Sequence, residues 1–275
     1  MTAALPLHLD LWQSSLNWQP TATQQALFQQ LYEQILIGNQ QLNLTRITEP
    51  DDFWEKHLWD SLSGLAPWLA DMDEEEKETG AKEIETEEPE AEQPEAEESA
   101  PLRVIDIGTG GGFPGVPAAI ALSPPPFSSD AISLTLVDAT RKKINFLQTL
   151  CQALSLPATC IAARAEALGR DPAHREQYDL ALIRAVGKTA TCAEYVLPLL
   201  KVGGQAVIYR GQWSTDETEA IVPVIELLGG ELTDLQSWQT PITQGNRHCL
   251  FIYKDCPTPS DFPRAVGTPG KSPLS

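Results

Sequence analysis

The stretch that most constrains this 275-residue chain is Asp106-Ile107-Gly108-Thr109-Gly110-Gly111-Gly112-Phe113-Pro114-Gly115, where five of the last eight residues are glycine. It follows RVIDI (103–107), which reads as a short strand, and precedes GVPAAIAL (115–122), which reads as a helix. Glycine reaches positive φ and carries no Cβ, so a strand-to-helix loop of this kind brings backbone close to a ligand. In open α/β sheets ligands sit at this place, outside the carboxyl ends of the strands. The alternation then continues. LTLVD (134–138), ATCIAA (158–163), YDLALIRAV (178–186) and QAVIYRG (205–211) read as strands. Residues 141–156, 189–200 and 215–228 read as the helices between and after them. Such alternation implies a parallel sheet covered on both faces. LTDLQSWQT (232–240) and HCLFIYK (248–254) are joined without a helix and are expected to be antiparallel.

Two cofactors compete for the loop. Gly110, Gly112 and Gly115 fit G-x-G-x-x-G, the dinucleotide pattern. Asp106, two residues before the first glycine, would crowd a pyrophosphate. It can instead sit near the cationic amino-acid end of S-adenosylmethionine, directly or through water. Asp138 ends the second strand, where a carboxylate can accept ribose hydroxyls from either cofactor. The antiparallel final pair favours S-adenosylmethionine. A tight turn with no ligand is the third reading. Ala165-Glu166 follows the third strand, where it could meet an adenine; Glu166 could equally be a helix-cap acid. Arg184 interrupts the apolar run LALIRAV and needs an anionic or hydrogen-bonding partner, in an internal ion pair or in an active site.

Two amphipathic helices precede the sheet. In residues 21–38, Leu27, Phe28, Leu31, Tyr32, Ile35 and Leu36 form one stripe, with Thr21 or Thr23 as cap and Gly38 as stop. After Pro50, a second stripe holds Phe53, Trp54, His57, Leu58, Ser61, Leu62 and Leu65, with Pro67 as the expected stop. Residues 71–100 hold 15 acidic residues against Lys77 and Lys82, and carry −13 of the net −19. They cannot bury enough apolar surface to offset chain entropy, and read as a disordered acidic insertion. The net charge is therefore a poor guide to the surface of the rest. No apolar run approaches the ~18 residues of a spanning helix, and the N-terminus lacks the basic start of a signal peptide. The five cysteines show no metal-ligand spacing, and reduced thiols in the cytoplasm are expected.

Taken together, Asn43-Leu44-Thr45, His57-Leu58-Trp59-Asp60-Ser61-Leu62, the loop DIGTGGGFPG, Ile183-Arg184-Ala185 and the tail from Phe262 to Leu274 (FPRAVGTPGKSPL) resemble the bacterial ribosomal RNA small subunit methyltransferase G family. The resemblance spans roughly residues 24–70 and 101–274. It implies a Rossmann-like S-adenosylmethionine-dependent methyltransferase fold: a seven-stranded, mostly parallel sheet with an antiparallel last strand and N-terminal helices. It implies methylation of guanine N7 in a loop of 16S rRNA, presented as free RNA or as a small ribosomal subunit particle, by a cytoplasmic monomer. The cofactor contacts it implies are Gly108, Phe113, Asp138, Ala139, Thr140, Ala165, Glu166 and Arg184. Residues 1–70 become an N-terminal helical extension, 71–100 the insertion, 101–256 the S-adenosylmethionine-binding domain and 257–275 a C-terminal tail. The insertion, a long 123–130 loop and Ala265 in place of a second basic residue depart from the family pattern.

Guanine N7 carries an exposed lone pair, so no catalytic acid or base is nominated; positioning is the main requirement. His57 is expected to pair with Asp60 or Ser61. RNA needs local positive charge, for which Arg141, Lys142, Lys143, Lys188, Arg210, Arg247, Arg264 and Lys271 are the candidates. Three other readings remain: a methyltransferase acting on a small molecule or protein, an NAD-dependent oxidoreductase, and an idle interaction module that uses the acidic segment. Deleting residues 71–100 separates the last from the rest. Methyl transfer, followed with labelled cofactor, is expected to survive the deletion.

Overall fold

A computed structural model describes residues 3–70, 100–123, 127 and 131–275. The acidic insertion read at 71–100 lies, apart from Ala100, outside the described residues, as does most of the 123–130 loop.

Helix α1 covers Leu9–Leu16 and α2 covers Ala22–Asn39. Thr21, not Thr23, caps α2: its hydroxyl accepts the Gln24 N–H at 3.2 Å, and the Gln24 side chain accepts the Thr21 N–H at 2.8 Å. These reciprocal bonds satisfy two donors that the first helical turn leaves free. Gly38 does not stop α2. A Cβ there would lie 2.2 Å from the Phe146 ring, so the residue is small because a neighbouring helix passes over it. The chain turns at Asn39, whose side-chain oxygen accepts the Leu44 and Thr45 N–H groups.

Helix α3 runs Pro50–Phe53, through a π-helical segment at Trp54–Trp59, to Asp60–Ser63. It ends in a turn at Gly64, not at Pro67; Pro67 lies in the next helical segment, 66–70, where a first-turn proline sacrifices no hydrogen bond. A Cβ on Gly64 would meet the Tyr209 ring at 2.6 Å, so α3 lies close against the sheet. π-Helical turns recur at functional sites, and this one buries Glu55 and His57, with Asp60 following directly.

The sheet order is β3-β2-β1-β4-β5-β7-β6. Its strands are β1 (Leu102–Ile107), β2 (Ile132–Asp138), β3 (Ala158–Ala162), β4 (Tyr178–Arg184), β5 (Leu200–Arg210), β6 (Gly230–Gln239) and β7 (Asn246–Lys254). The first five are parallel, and β7 inserts antiparallel between β5 and β6. This is the expected mostly parallel, seven-stranded fold. β5 begins five residues earlier than expected. It passes through Gly204, where a Cβ would meet the carbonyl oxygens of Tyr178, Asp179 and Lys201 at 2.9–3.0 Å. Glycine thus permits close strand approach where the β4–β5 register shifts.

Alternate strand residues face opposite ways. Val104, Leu134, Leu182 and Val207 pack under α1–α3 together with α4 (Gly115–Leu122) and α5 (Arg141–Ala153). Ile105, Ile183, Ile208 and Ile252 pack under α6 (Ala165–Leu168), α7 (Thr189–Val196) and α8 (Thr215–Leu227). No helix among the described residues is long and apolar enough to cross a membrane.

Glu55 joins the N-terminal helices to the far edge of the sheet. It is 1% exposed, and its carboxylate accepts the Ile242 and Thr243 N–H groups at 2.6 and 2.8 Å and the Thr243 hydroxyl at 2.5 Å. Glu55→Ala leaves the β6–β7 turn without these acceptors. It is expected to lower unfolding free energy by about 2–4 kcal/mol, since hydrogen bonds to charged groups contribute roughly 1.5–3 kcal/mol each and are not additive. Urea denaturation followed by circular dichroism measures this.

Candidate cofactor and substrate site

The loop after β1 is held from behind. Asp106 is fully buried, and its Oδ2 accepts the Gly115 N–H at 2.8 Å across the loop. A Cβ on Gly115 would come within 2.9 Å of that carboxylate and 2.6 Å of Leu136. Gly108, Gly110 and Gly112 take φ of 73°, 61° and 101°, the left-handed region that glycine alone enters at little cost. Burial pushes the Asp106 carboxyl up to about 6, against the opposing pull of the Gly115 N–H and Arg184. Asp106 thus faces inward and braces the loop. This support from beneath uses Oδ2 alone, and Oδ1 has no partner among the described residues.

On the open side of the loop, the ends of β1, β2 and β3 form one pocket. It is lined by Gly108, Asp138, Ala139, Ala165 and Glu166, with Ala163, Arg164, Val186 and Tyr195. Asp138 Oδ1 accepts the Thr140 N–H at 2.7 Å and Oδ2 the Gly110 N–H at 3.2 Å, which points its carboxylate along the loop. Glu166 is 1% exposed. Its Oε1 accepts the Gly267 N–H at 2.8 Å and the Tyr195 hydroxyl at 3.2 Å, while the buried Oε2 has no partner among the described residues. Burial works against its ionisation, but the backbone N–H groups, Arg164 and Tyr195 outweigh it and hold the carboxyl below the usual range. Burial and the Glu166 charge push Tyr195 up to about 12. The pocket therefore presents the Asp138 and Glu166 carboxylates among small residues, with one Glu166 acceptor unused among the described residues.

Phe113, Thr140 and Arg184 lie outside this lining. Thr140 is exposed at the start of α5. Phe113 and Arg184 belong to a second cluster, with the Arg184 guanidinium 5.7 Å from the Phe113 ring centroid. Arg184 donates to Asp60 Oδ2 at 2.6 Å and to the Lys56 carbonyl at 3.1 Å; Arg247 donates to Asp60 Oδ1 at 2.7 Å. His57 stacks on Phe113, with centroids 4.3 Å apart, and its Nε2 lies 2.8 Å from the Thr45 hydroxyl. Neither expected partner bonds its ring: Asp60 is taken by the two arginines, and the Ser61 hydroxyl donates to the His57 carbonyl. Burial, then Arg184, pushes His57 down to about 3, so it stays neutral across physiological pH. The cluster joins Asn43-Leu44-Thr45, the HLWDSL helix and the end of β4 beside the loop. Sequence spacing could not find Asp60 as the partner of Arg184, because 124 residues separate them.

The expected basic patch divides. Arg141, Lys142, Lys188 and Lys271 are exposed and lack carboxylate partners among the described residues. Lys143 lies 3.7 Å from Asp138, and Arg210 donates to Thr189 and to the Gly187 carbonyl. Arg264 is a correction. It pairs inward with Glu194, which is wholly buried, and is spent on holding the tail. Gly187, next to the pocket residue Val186, opens a neighbouring cavity of about 550 Å³ with Lys188, Arg210 and Trp213.

Comparison with known proteins follows this architecture. A family model described as rRNA small subunit methyltransferase G matches residues 24–74 and 92–249. The chain is 50% identical to the ribosomal RNA small subunit methyltransferase G of Nostoc sp., over 275 residues and all of both chains. It is 46% identical to the protein of that name from Synechococcus elongatus, again over all of both chains. For Trichodesmium erythraeum the identity is 43% over 98% of this chain and 94% of the relative.

Two outcomes follow from the loop. Gly110→Val places a β-branched residue at φ 61° without a steric neighbour closer than 3.8 Å, so the fold should persist. S-Adenosylmethionine affinity, read by calorimetry, is expected to fall at least tenfold. Asp106 has its folded pKa raised from 3.8 to about 6. Its contribution to stability is thus complete below pH 3.8 and lost as pH rises through 6. Asp106→Asn should flatten the pH dependence of unfolding free energy across that window.

Proposed function

The chain belongs to the rRNA small subunit methyltransferase G family, and from that premise we propose that it uses S-adenosylmethionine to methylate N7 of one guanine in a loop of 16S rRNA. The observation that carries the reading is the pairing of two sites at the carboxyl ends of the strands. One is a pocket lined by the Asp138 and Glu166 carboxylates. The other is a cluster of Phe113, His57 and Arg184 beside the same loop.

The pocket suits the cofactor. Glu166 Oε2 is a buried acceptor without a partner among the described residues, suited to the amino group of an adenine. Asp138 ends β2 at the position from which a carboxylate accepts ribose hydroxyls. Gly108 keeps the floor open: a Cβ there would meet Val186 at 2.4 Å. We assign Gly108, Asp138, Ala139, Ala165 and Glu166 to direct contact. Thr140 we assign to orienting Asp138 through its N–H. Phe113 and Arg184 are assigned to the boundary between cofactor and base. When bound, S-adenosylmethionine supplies a methyl group on a positively charged sulfur.

The protein's task is then positional. Guanine N7 has a lone pair in the plane of the base and no proton to remove, so no general base is required. Phe113, stiffened by its stack on His57, offers an apolar surface next to the loop. A neutral His57 adds no positive charge where the methylated base becomes cationic. Asp60 fixes both Arg184 and Arg247 and offsets one of their two positive charges. Holding N7 in line with the methyl group accounts for most of the rate enhancement such a site can supply. Arg141, Lys142 and Lys188 are left to meet phosphates.

The division into an N-terminal extension (1–70), an insertion (71–100), a cofactor domain (101–256) and a tail (257–275) follows the same reading. The enzyme acts as a cytoplasmic monomer on free 16S rRNA or on the small-subunit particle. Incubation with methyl-labelled cofactor and either substrate, followed by nucleoside analysis, tests the proposal. Label in 7-methylguanosine at a single loop position of 16S rRNA is expected. Label confined to another nucleoside, to protein or to small molecules would overturn it.

A further inference from the structure

The C-terminal tail makes contacts that neither the family match, which ends at residue 249, nor the methyl-transfer chemistry accounts for. It crosses the back of the cofactor pocket and is tied there by buried polar groups. Glu194 on α7 is 0% exposed, and among the described residues every hydrogen bond of its side chain is to one tail residue. Its oxygens accept the Arg264 backbone N–H at 2.7 Å, Nε at 3.0 and 3.1 Å, and NH2 at 2.6 Å. Three residues later the Gly267 N–H donates to Glu166 Oε1 at 2.8 Å. Just beyond, the Pro269 carbonyl accepts the Thr191 hydroxyl at 2.9 Å.

Gly267 has φ 84°, and a Cβ there would meet nothing within 4 Å. The residue is therefore set by backbone conformation and not by space. The left-handed turn aims its N–H at Glu166. Glu166 needs that donor. It lies in the pocket with one oxygen unpartnered among the described residues, and burying a carboxylate in that state is costly unless its other oxygen is well bonded. If the tail served packing alone, an apolar residue at position 166 would serve better, since buried ionic groups are often replaceable by hydrophobic ones without loss.

We propose that the C-terminal tail is a positioning element for the cofactor pocket: Arg264, locked on Glu194, holds Gly267 so that its N–H fixes Glu166 with one oxygen presented to the ligand. Arg264 and Glu194 are positioning residues, acting through Glu166 without touching cofactor or RNA. The inference rests on the assignment of Glu166 to the cofactor.

The test is a double-mutant cycle in the full chain, read by calorimetric binding of S-adenosylmethionine. Arg264→Ala should raise Kd about tenfold, and Glu166→Ala by at least as much. In the Glu166→Ala background, Arg264→Ala should add nothing further. Glu194→Gln, which keeps the buried shape, is the second variant and should show the same dependence on Glu166 should Arg264→Ala fail to fold. In methyl transfer the loss should fall on KM for the cofactor, with KM for rRNA unchanged. Equal losses with and without Glu166 would overturn the proposal, because a merely structural tail acts independently of that side chain. So would an unchanged Kd on Arg264→Ala or Glu194→Gln alongside a weakened Glu166→Ala. If Glu166→Ala itself bound the cofactor normally, the assignment of Glu166 would fall, and this inference with it.

Discussion

Asp106 closes the glycine loop by accepting the Gly115 N–H, and the pocket takes its shape from that bond. A loop with three glycines at positive φ has little conformational preference of its own. Tying its end back to the end of β1 removes that freedom, while Gly115 leaves no room for any arrangement but close contact. The carboxylate is held in a site that favours its protonated form, a local cost that preorganised sites commonly carry. Everything the pocket presents follows from this brace: the Gly110 N–H on Asp138, the open floor at Gly108, and the placing of Phe113 against His57.

A second buried carboxylate does for the substrate side what Asp106 does for the loop. Asp60 sits at the end of the π-helical turn and receives Arg184 from β4 and Arg247 from β7. Three elements distant in sequence are thereby fixed at one point beside the loop. An uncompensated arginine here would repel a base acquiring positive charge. Asp60 offsets one of the two guanidinium charges, which lessens that repulsion while holding both side chains in place. Glu55, one turn earlier, anchors the β6–β7 turn, so the same short helix secures both the site and the sheet edge.

Much of this was legible in the sequence because it is periodic or local. The strands, the loop, the helix stripes and the antiparallel last pair follow from apolar spacing and from glycine chemistry. What escaped depended on contacts across long separations. The need of Arg184 for a partner was readable; that Asp60 supplies it was not. Arg264 looks like a free cation in a polar tail, and only the fold brings buried Glu194 to it. Gly38 reads as a helix stop, yet it is a site of close approach inside a helix, as Gly204 is inside a strand. Tyr195 carries no sequence signal, and enters the pocket because α7 packs behind α6.

The central claim is that one cofactor occupies the cleft between Asp138 and Glu166, over the braced loop. Hydrogen–deuterium exchange of the full chain, with and without S-adenosylmethionine, tests it most directly. Slowed exchange is expected at residues 108–115, 138–141 and 163–167, with a further effect at 266–268 through the Gly267 N–H. Slowed exchange confined to the N-terminal helices, or no change at the loop, would contradict it.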